Sequence, residues 1–346
     1  MSWHIEELTL TVADPLSEQW IEVHNAAARA VWGDGAQVLT VEEVLDIAPR
    51  RAEHRRAFAL WSGVGDADST EGTNGTRRVG RLVAVAQTIQ HERDNTETAG
   101  LWLSVHPHHQ RRGHGPHLLG HCESLLREAG CTRLHDHSDS PDESGGAATM
   151  FALAHGYRLT QTHVCQDLAL PLPAGVLAEL DPGLHPAEYR VETAVDRLPE
   201  EWLEDRALLA RWMSTDAPMG DIDLDEQEWD AERVRRLWNT PSPIWAVESV
   251  VRLVPSGRLV GFSDIVVRPG SPRLGVQTDT LVLREHRGHA LGLAMKVANL
   301  LALQREKAEV SVVRTWNADT NVHMIAINER MGFRPTGWSR EWAKEL

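Results

Sequence analysis

Three landmarks recur in the same order along this chain, and that duplication constrains its fold more than any other feature. Asp14, Leu16, Glu18 and Trp20 return as Asp196, Leu198, Glu200 and Trp202, 182 positions later. Gln110-Arg111-Arg112-Gly113-His114-Gly115 has its counterpart 177 positions later in Arg287-Gly288-His289-Ala290-Leu291-Gly292. Gly156-Tyr157 returns as Gly332-Phe333 at an offset of 176. Offsets that agree this closely mark two copies of one domain, 1–172 and 184–346, joined by a proline-spaced linker at 173–183. The length of 346 residues suits two domains.

The two copies read alike. In the first, alternation predicts a strand over 7–13, and apolar spacing predicts a helix over 16–31. Thr40 and Glu43 form a capping box that opens a second helix over 40–50. Strands follow at 56–62 and 80–90, joined by a Gly/Asp/Ser/Thr-rich stretch at 63–78. A strand at 98–105 runs into the glycine loop at 110–115. A helix at 116–129, a strand at 132–137, a helix at 146–155 and a strand at 157–168 complete the copy. The second copy repeats the order, with its loop at 287–292, a helix at 293–306, a strand at 309–315, a helix at 320–331 and a last strand. Hairpins combined with one strand–loop–helix–strand crossover indicate α+β with a mixed, mostly antiparallel sheet.

Charge narrows the partners. Fifty acidic residues against 35 basic ones give a net charge of −15. Such a chain repels nucleic-acid phosphates and anionic membrane surfaces, and attracts cationic small molecules. No apolar run reaches the ~20 residues of a membrane span. The N-terminus lacks a secretory pattern, so the expected location is cytoplasmic. Three cysteines without CxxC spacing argue against disulfides and a cysteine metal site. His117 and His121 stand four apart on a helix, but nothing completes a ligand set, so no metal is expected.

A strand that ends in a tight glycine turn and opens a helix presents unpaired backbone N–H groups and the positive end of the helix dipole, which suit a phosphate or diphosphate. Arg111, Arg112 and Arg287 add local positive charge. The chain has no Gly-Lys dipeptide for a P-loop, and its loops lie mid-domain rather than after a first strand, which disfavours a dinucleotide fold.

The loop pattern, the Val105-x-Pro107 and Val282 strand ends, and Asn317 to Asn321 followed by Asn328 and Gly332-Phe333 together resemble the GNAT superfamily of N-acetyltransferases. The first loop matches the motif fully, while the second carries Ala290 in place of Gly. Tandem members of the superfamily, the mycothiol synthase type among them, share this length and layout. The resemblance implies a splayed central strand and acetyl-CoA as co-substrate. It would be held by Val105, Gln110, Arg111, Arg112, Gly113, His114 and Gly115 in one copy. In the other it would be held by Val282, Arg287, Gly288, His289, Ala290, Leu291 and Gly292, with Asn317 beyond. It also implies acetyl transfer to the primary amine of a small molecule. Two copies in one chain can pair with each other, so a monomer or weak dimer is expected. Many relatives carry a Tyr in the last helix and a Glu eleven residues before the loop. Here those positions hold Ala152 and Asn328, and Ala99 and Val276. Asp279 is therefore the candidate base and Asn321 a candidate catalytic contact. The acidic segment 216–226 is a candidate hold for a cationic acceptor. The Asn-rich end of the second copy, against Phe151-Ala-Leu-Ala in the first, points to the second as the catalytic half. The rival readings are a non-catalytic acetyl-CoA-binding protein and a mycothiol-synthase-like enzyme.

Overall fold

The computed structural model describes residues 3–63, 69–71, 77–180, 186–216 and 225–346. It comprises two compact units, Met1–Thr160 with Arg340–Leu346, and Gln161–Ser339. The first unit has antiparallel strands Trp3–Leu8, Glu53–Ser62, Arg81–His91 and Thr98–Val105 in spatial order. A parallel step leads to Arg133–Ser140. The second repeats this with Tyr189–Val195, Trp245–Leu253, Leu259–Val267 and Leu274–Val282, then a parallel step to Val312–Ala318.

Period-2 alternation assigns the helices to faces. Ala57, Ala59 and Trp61 pack with Trp20, Ile21 and Val44 from helices Pro15–Trp32 and Val41–Arg51. Phe58 and Leu60 point the other way, toward Leu118, Cys122 and Leu126 of helix His114–Glu128. In the second unit Phe262 and Val250 meet Leu203, Ala207 and Val234 of helices Leu203–Asp216 and Ala231–Trp238. Val247 and Ile265 meet Val297 and Leu300 of helix Leu291–Glu306.

The expected capping box is formed, with Thr40 Oγ1 accepting from the Glu43 amide at 3.2 Å and Glu43 Oε2 accepting from the Thr40 amide at 2.5 Å. The first strand lies at 3–8 rather than 7–13. Ala13 turns to φ 63°, the Thr11 amide donates to Ser17 Oγ at 3.0 Å, and Asp14 caps the next helix, so the chain after Leu8 is committed to a helix start. Most of 63–78, and residues 181–183 of the expected linker, lie outside the described residues.

The closing strands are exchanged between the copies. Residues 163–169 of strand Arg158–Ala169 pair antiparallel with Val312–Ala318, and Leu168 joins the second core. Trp342 of strand Arg334–Glu345 joins the first core, and Lys344 Nζ donates to Glu123 Oε1 at 2.6 Å. The linear boundaries 1–172 and 184–346 describe the repeat in sequence, whereas packing counts 161–172 with the second unit and 340–346 with the first.

Candidate active site

Each unit contains a fork. The ladder between Thr98–Val105 and Arg133–Ser140 stops after Gly100↔His135, and that between Leu274–Val282 and Val312–Ala318 stops after Val276↔Arg314. Beyond those rows the parallel partners diverge, and the facing backbone groups leave the ladder. Above each fork sits the glycine loop. Gln110 Nε2 donates to the Val105 carbonyl at 3.2 Å, and Arg287 Nε donates to the Val282 carbonyl at 2.9 Å, the same tie in both copies. The loops need left-handed backbone at two matched positions. These are Arg111 (φ 62°) and Gly113 (φ 83°) in one, and Gly288 (φ 86°) and Ala290 (φ 55°) in the other. Each copy therefore has glycine at one of the two positions and carries strain at the other. The helices opened there leave their first amides free for a diphosphate.

Several expected contacts are placed more closely. Leu291 is core, against Val251, Val260 and Met295, so its amide alone faces the loop. Asp216 binds both Arg284, at 2.9 Å, and Arg287, so it is a brace for the loop. The rest of the acidic segment through residue 224 lies outside the described residues. His114 is carried inside, and burial, with Arg112 nearby, lowers its pKa, so it adds no charge near neutrality. Gly115 is required for packing, because a Cβ there would stand 3.1 Å from the Phe151 ring. Trp3 lies against Gly113 and His117, and Tyr189 lies against His286 and His289, so an aromatic ring flanks each loop. Asn321 caps helix Val322–Met331 by accepting from the Met324 amide at 3.2 Å. Asn317 stands on the diverging arm, and its buried Nδ2 has no partner among the described residues. A donor so placed, with the free loop amides and the unpaired strand edge, fits an extended amide-bearing arm that ends in a diphosphate. Among the described residues no group of His, Cys, Asp and Glu side chains could hold a metal ion, and no helix is long and apolar enough to cross a membrane.

The forks differ below the loops. In the first, Gln87 pairs directly with Trp102 in an unbroken ladder. Trp102 packs on Trp20 and His24, with ring centroids 5.1 and 4.5 Å apart, and its Nε1 donates to Gln87 Oε1 at 3.2 Å. Burial pushes His24 down to about 4, which keeps it neutral. In the second, the matching positions are Asp264 and Asp279, and the ladder breaks. Ser263 pairs with Thr280 and Ile265 with Gln277, so Thr278 and Asp279 together oppose Asp264. This β-bulge re-aims side chains and frees amides in the middle of the strand. Asp279 is exposed there, Asp264 is buried and accepts from Thr278 Oγ1, and Glu248 is fully buried beneath them.

Arg206 is the guanidinium of this cluster. Its Nε lies 2.9 Å from both Glu248 oxygens, and its plane covers the Phe262 ring at 3.4 Å. Burial first, then the negative charges of Asp279 and Glu248, raises the Asp264 carboxyl pKa well above the usual range. Burial raises that of Glu248 as well. Three carboxyls around one arginine make a site with an appetite for protons and cations.

A second polar chain crosses the other face. Lys296 Nζ, fully buried, donates to Asn328 Oδ1 at 3.0 Å, and Asn328 Nδ2 donates to Gln166 Oε1 at 3.0 Å. The matching residues of the first unit are Leu119, Ala152 and Trp342, all in one apolar cluster. Asp264, Glu248, Arg206 and Lys296 are absent from the sequence-based set. The available signals were an acid inside Leu-Val-Gly-Phe-Ser-Asp264-Ile-Val-Val and one of three lysines inside the apolar helix Leu291–Glu306.

Residues 38–143 match the acetyltransferase (GNAT) family. The mycothiol acetyltransferase of Salinispora arenicola is 28% identical over 249 residues, covering 69% of this chain and 72% of that protein. That of Saccharomonospora viridis is 26% identical over 262 residues, covering 70% and 73%. A tandem GNAT protein from the clavulanic acid biosynthesis pathway superposes with a TM-score of 0.78 at 25% identity, covering 99% of this chain and 98% of that one.

Proposed function

The chain being a tandem GNAT acyltransferase, we propose that its second copy transfers an acetyl group from acetyl-CoA to the primary amine of a small cationic molecule, and that its first copy is a non-catalytic half. The observation that carries this reading is the bulge at Thr278 and Asp279 opposite Asp264. In the first copy the same place is a regular ladder filled by Trp102. The relatives named for mycothiol make an amine-bearing small molecule of that kind the first acceptor to try.

Acetyl-CoA supplies an acetyl group already activated as a thioester. The free amides at Ala290 to Leu293 would hold its diphosphate, and Asn317 with the open edge of 277–282 would hold its arm. An alkylamine of pKa ~10 arrives as a cation, and the Glu248–Asp264–Asp279 cluster attracts it. Asp279, exposed and without a cationic partner among the described residues, meets the acceptor. Its neighbour Asp264 favours the protonated state, so the pair can take the proton that makes the nitrogen nucleophilic. An amide left unpaired by the bulge would donate to the oxygen on which charge develops.

The test is thiol release from acetyl-CoA with a panel of cysteinyl amides, amino sugars and diamines. Asp279→Asn and Asp264→Asn are expected to lower turnover by roughly 10²–10⁴-fold, with acetyl-CoA binding retained. Binding without turnover for every amine would leave a non-catalytic carrier instead.

A further inference from the structure

We infer that Lys296 is the acid that protonates the departing sulfur of coenzyme A, held for that task by Asn328. The inference rests on the acetyl-transfer reading and assigns a residue that sequence reasoning passed over.

Position comes first. Helix Leu291–Glu306 follows one arm of the second fork, and helix Val322–Met331 follows the other. Lys296 comes from the first helix and Asn328 from the second, so their 3.0 Å hydrogen bond joins the two arms. Its level is fixed by Gln166, which accepts from Asn328 and pairs with Thr315. Thr315 is the residue just past Arg314, the last rung before the arms part. The bulge lies just past the matching rung at Val276. Lys296 also feels the charge of Asp264 on the strand that faces the bulge. The ammonium therefore sits at the closed end of the fork, where an arm descending from the loop would bring its reactive end.

Chemistry agrees. Asn328 Oδ1 is the hydrogen-bond acceptor Lys296 has among the described residues, and an ammonium carries three donors. Two protons remain for a ligand. Asn328, itself bonded to Gln166, is the neutral group Lys296 meets, and the charge of Asp264 reaches it from the opposite face of the sheet, where Asp279, Glu248 and Arg206 surround that carboxyl. Burial pulls Lys296 down to about 7, which suits an acid that works near neutral pH. The first copy has Leu119 and Ala152 instead and offers no such donor.

The step balances. The acceptor ammonium first gives one proton to the Asp264–Asp279 pair, which passes it to water through exposed Asp279; the freed nitrogen then forms its bond to the acetyl carbon and gives its second proton to the same pair. The carbon–sulfur bond breaks, and the sulfur takes its electron pair and a proton from Lys296 Nζ. Lys296 is reprotonated from solvent, so of the two protons the nitrogen loses one is balanced by the proton on sulfur and one is released.

Free coenzyme A is the probe, which removes any dependence on the acceptor. Its thiol is titrated in the complex by thiolate absorbance, as a difference against the complex with desulfo-coenzyme A. Calorimetry confirms binding, and melting confirms the fold of Lys296→Met and Lys296→Gln. The wild-type complex is expected to show the thiolate at least about one pH unit below the ~8.5 of an ordinary thiol. Both variants are expected to bind coenzyme A and to lose that shift. Binding with an unshifted thiol, or a shift that survives in both variants, overturns the assignment of Lys296 alone. Failure of coenzyme A to bind the wild type overturns the acetyl-transfer reading and this assignment together.

Discussion

Two single residues, Ala290 and Lys296, carry costs that ought to be measurable. Ala290 holds a left-handed conformation at the start of helix Leu291–Glu306. Ala290→Gly relieves it and is expected to stabilise the second unit by about 1 kcal/mol, visible as a rise of about 2–4 °C in melting temperature. An unchanged or lower melting temperature would show that the loop is not strained there. Lys296 is the other. Its folded pKa, about 7, lies below the ~10.4 of an unfolded lysine. Below pH 7 both states hold the proton and the buried cation exacts its full penalty; between about 7 and 10.4 the unfolded chain alone is protonated, and the penalty fades as pH rises. Lys296→Met should therefore melt several degrees above the wild type at pH 6, with the gain shrinking toward pH 10. A gain that is constant with pH would mean that the fold leaves the Lys296 pKa at its unfolded value.

At the scale of elements, the loops and their flanking strands and helices were legible because glycine, proline and apolar spacing are local signals, and duplication doubled them. The carboxylate cluster was not legible in the same way. Glu248, Asp264 and Asp279 come from three strands, and their meeting depends on strand register, with a one-residue bulge beside it, for which no local sequence signal exists. Gly261 supports that bulge. A Cβ there would stand 2.7 Å from the Leu281 carbonyl and 3.3 Å from Met295, so the two strands approach as closely as they do because the side chain is absent. Gly261→Ala is expected to cost about 1–3 kcal/mol and to lower turnover beyond its effect on stability, since the bulge two residues on must shift with the backbone. Turnover unchanged in the folded variant would separate the bulge from catalysis.

At the scale of the whole chain, the exchange of closing strands escaped sequence reasoning for a physical reason. A period-2 pattern says that one face is buried, but not in which sheet. The consequence is that the first unit depends on the last residues of the chain. Trp342→Ala removes a buried ring from the core formed by Leu118, Leu119 and Ala152, and is expected to cost about 3–5 kcal/mol there. Hydrogen exchange should accelerate across residues 118–126 and not across 291–303. Equal acceleration in both would show that the units do not unfold separately.

The asymmetry of the two forks is the claim on which the functional account stands, and an acid at each helix N-terminus tests it. Gly292→Asp and Pro116→Asp both place a carboxylate in the first turn of a loop helix, where it favours the helix but repels a diphosphate. Steady-state thiol release from acetyl-CoA should show the KM for acetyl-CoA rising at least about tenfold in Gly292→Asp and unchanged in Pro116→Asp. The reverse pattern would place the chemistry in the first copy and contradict the account.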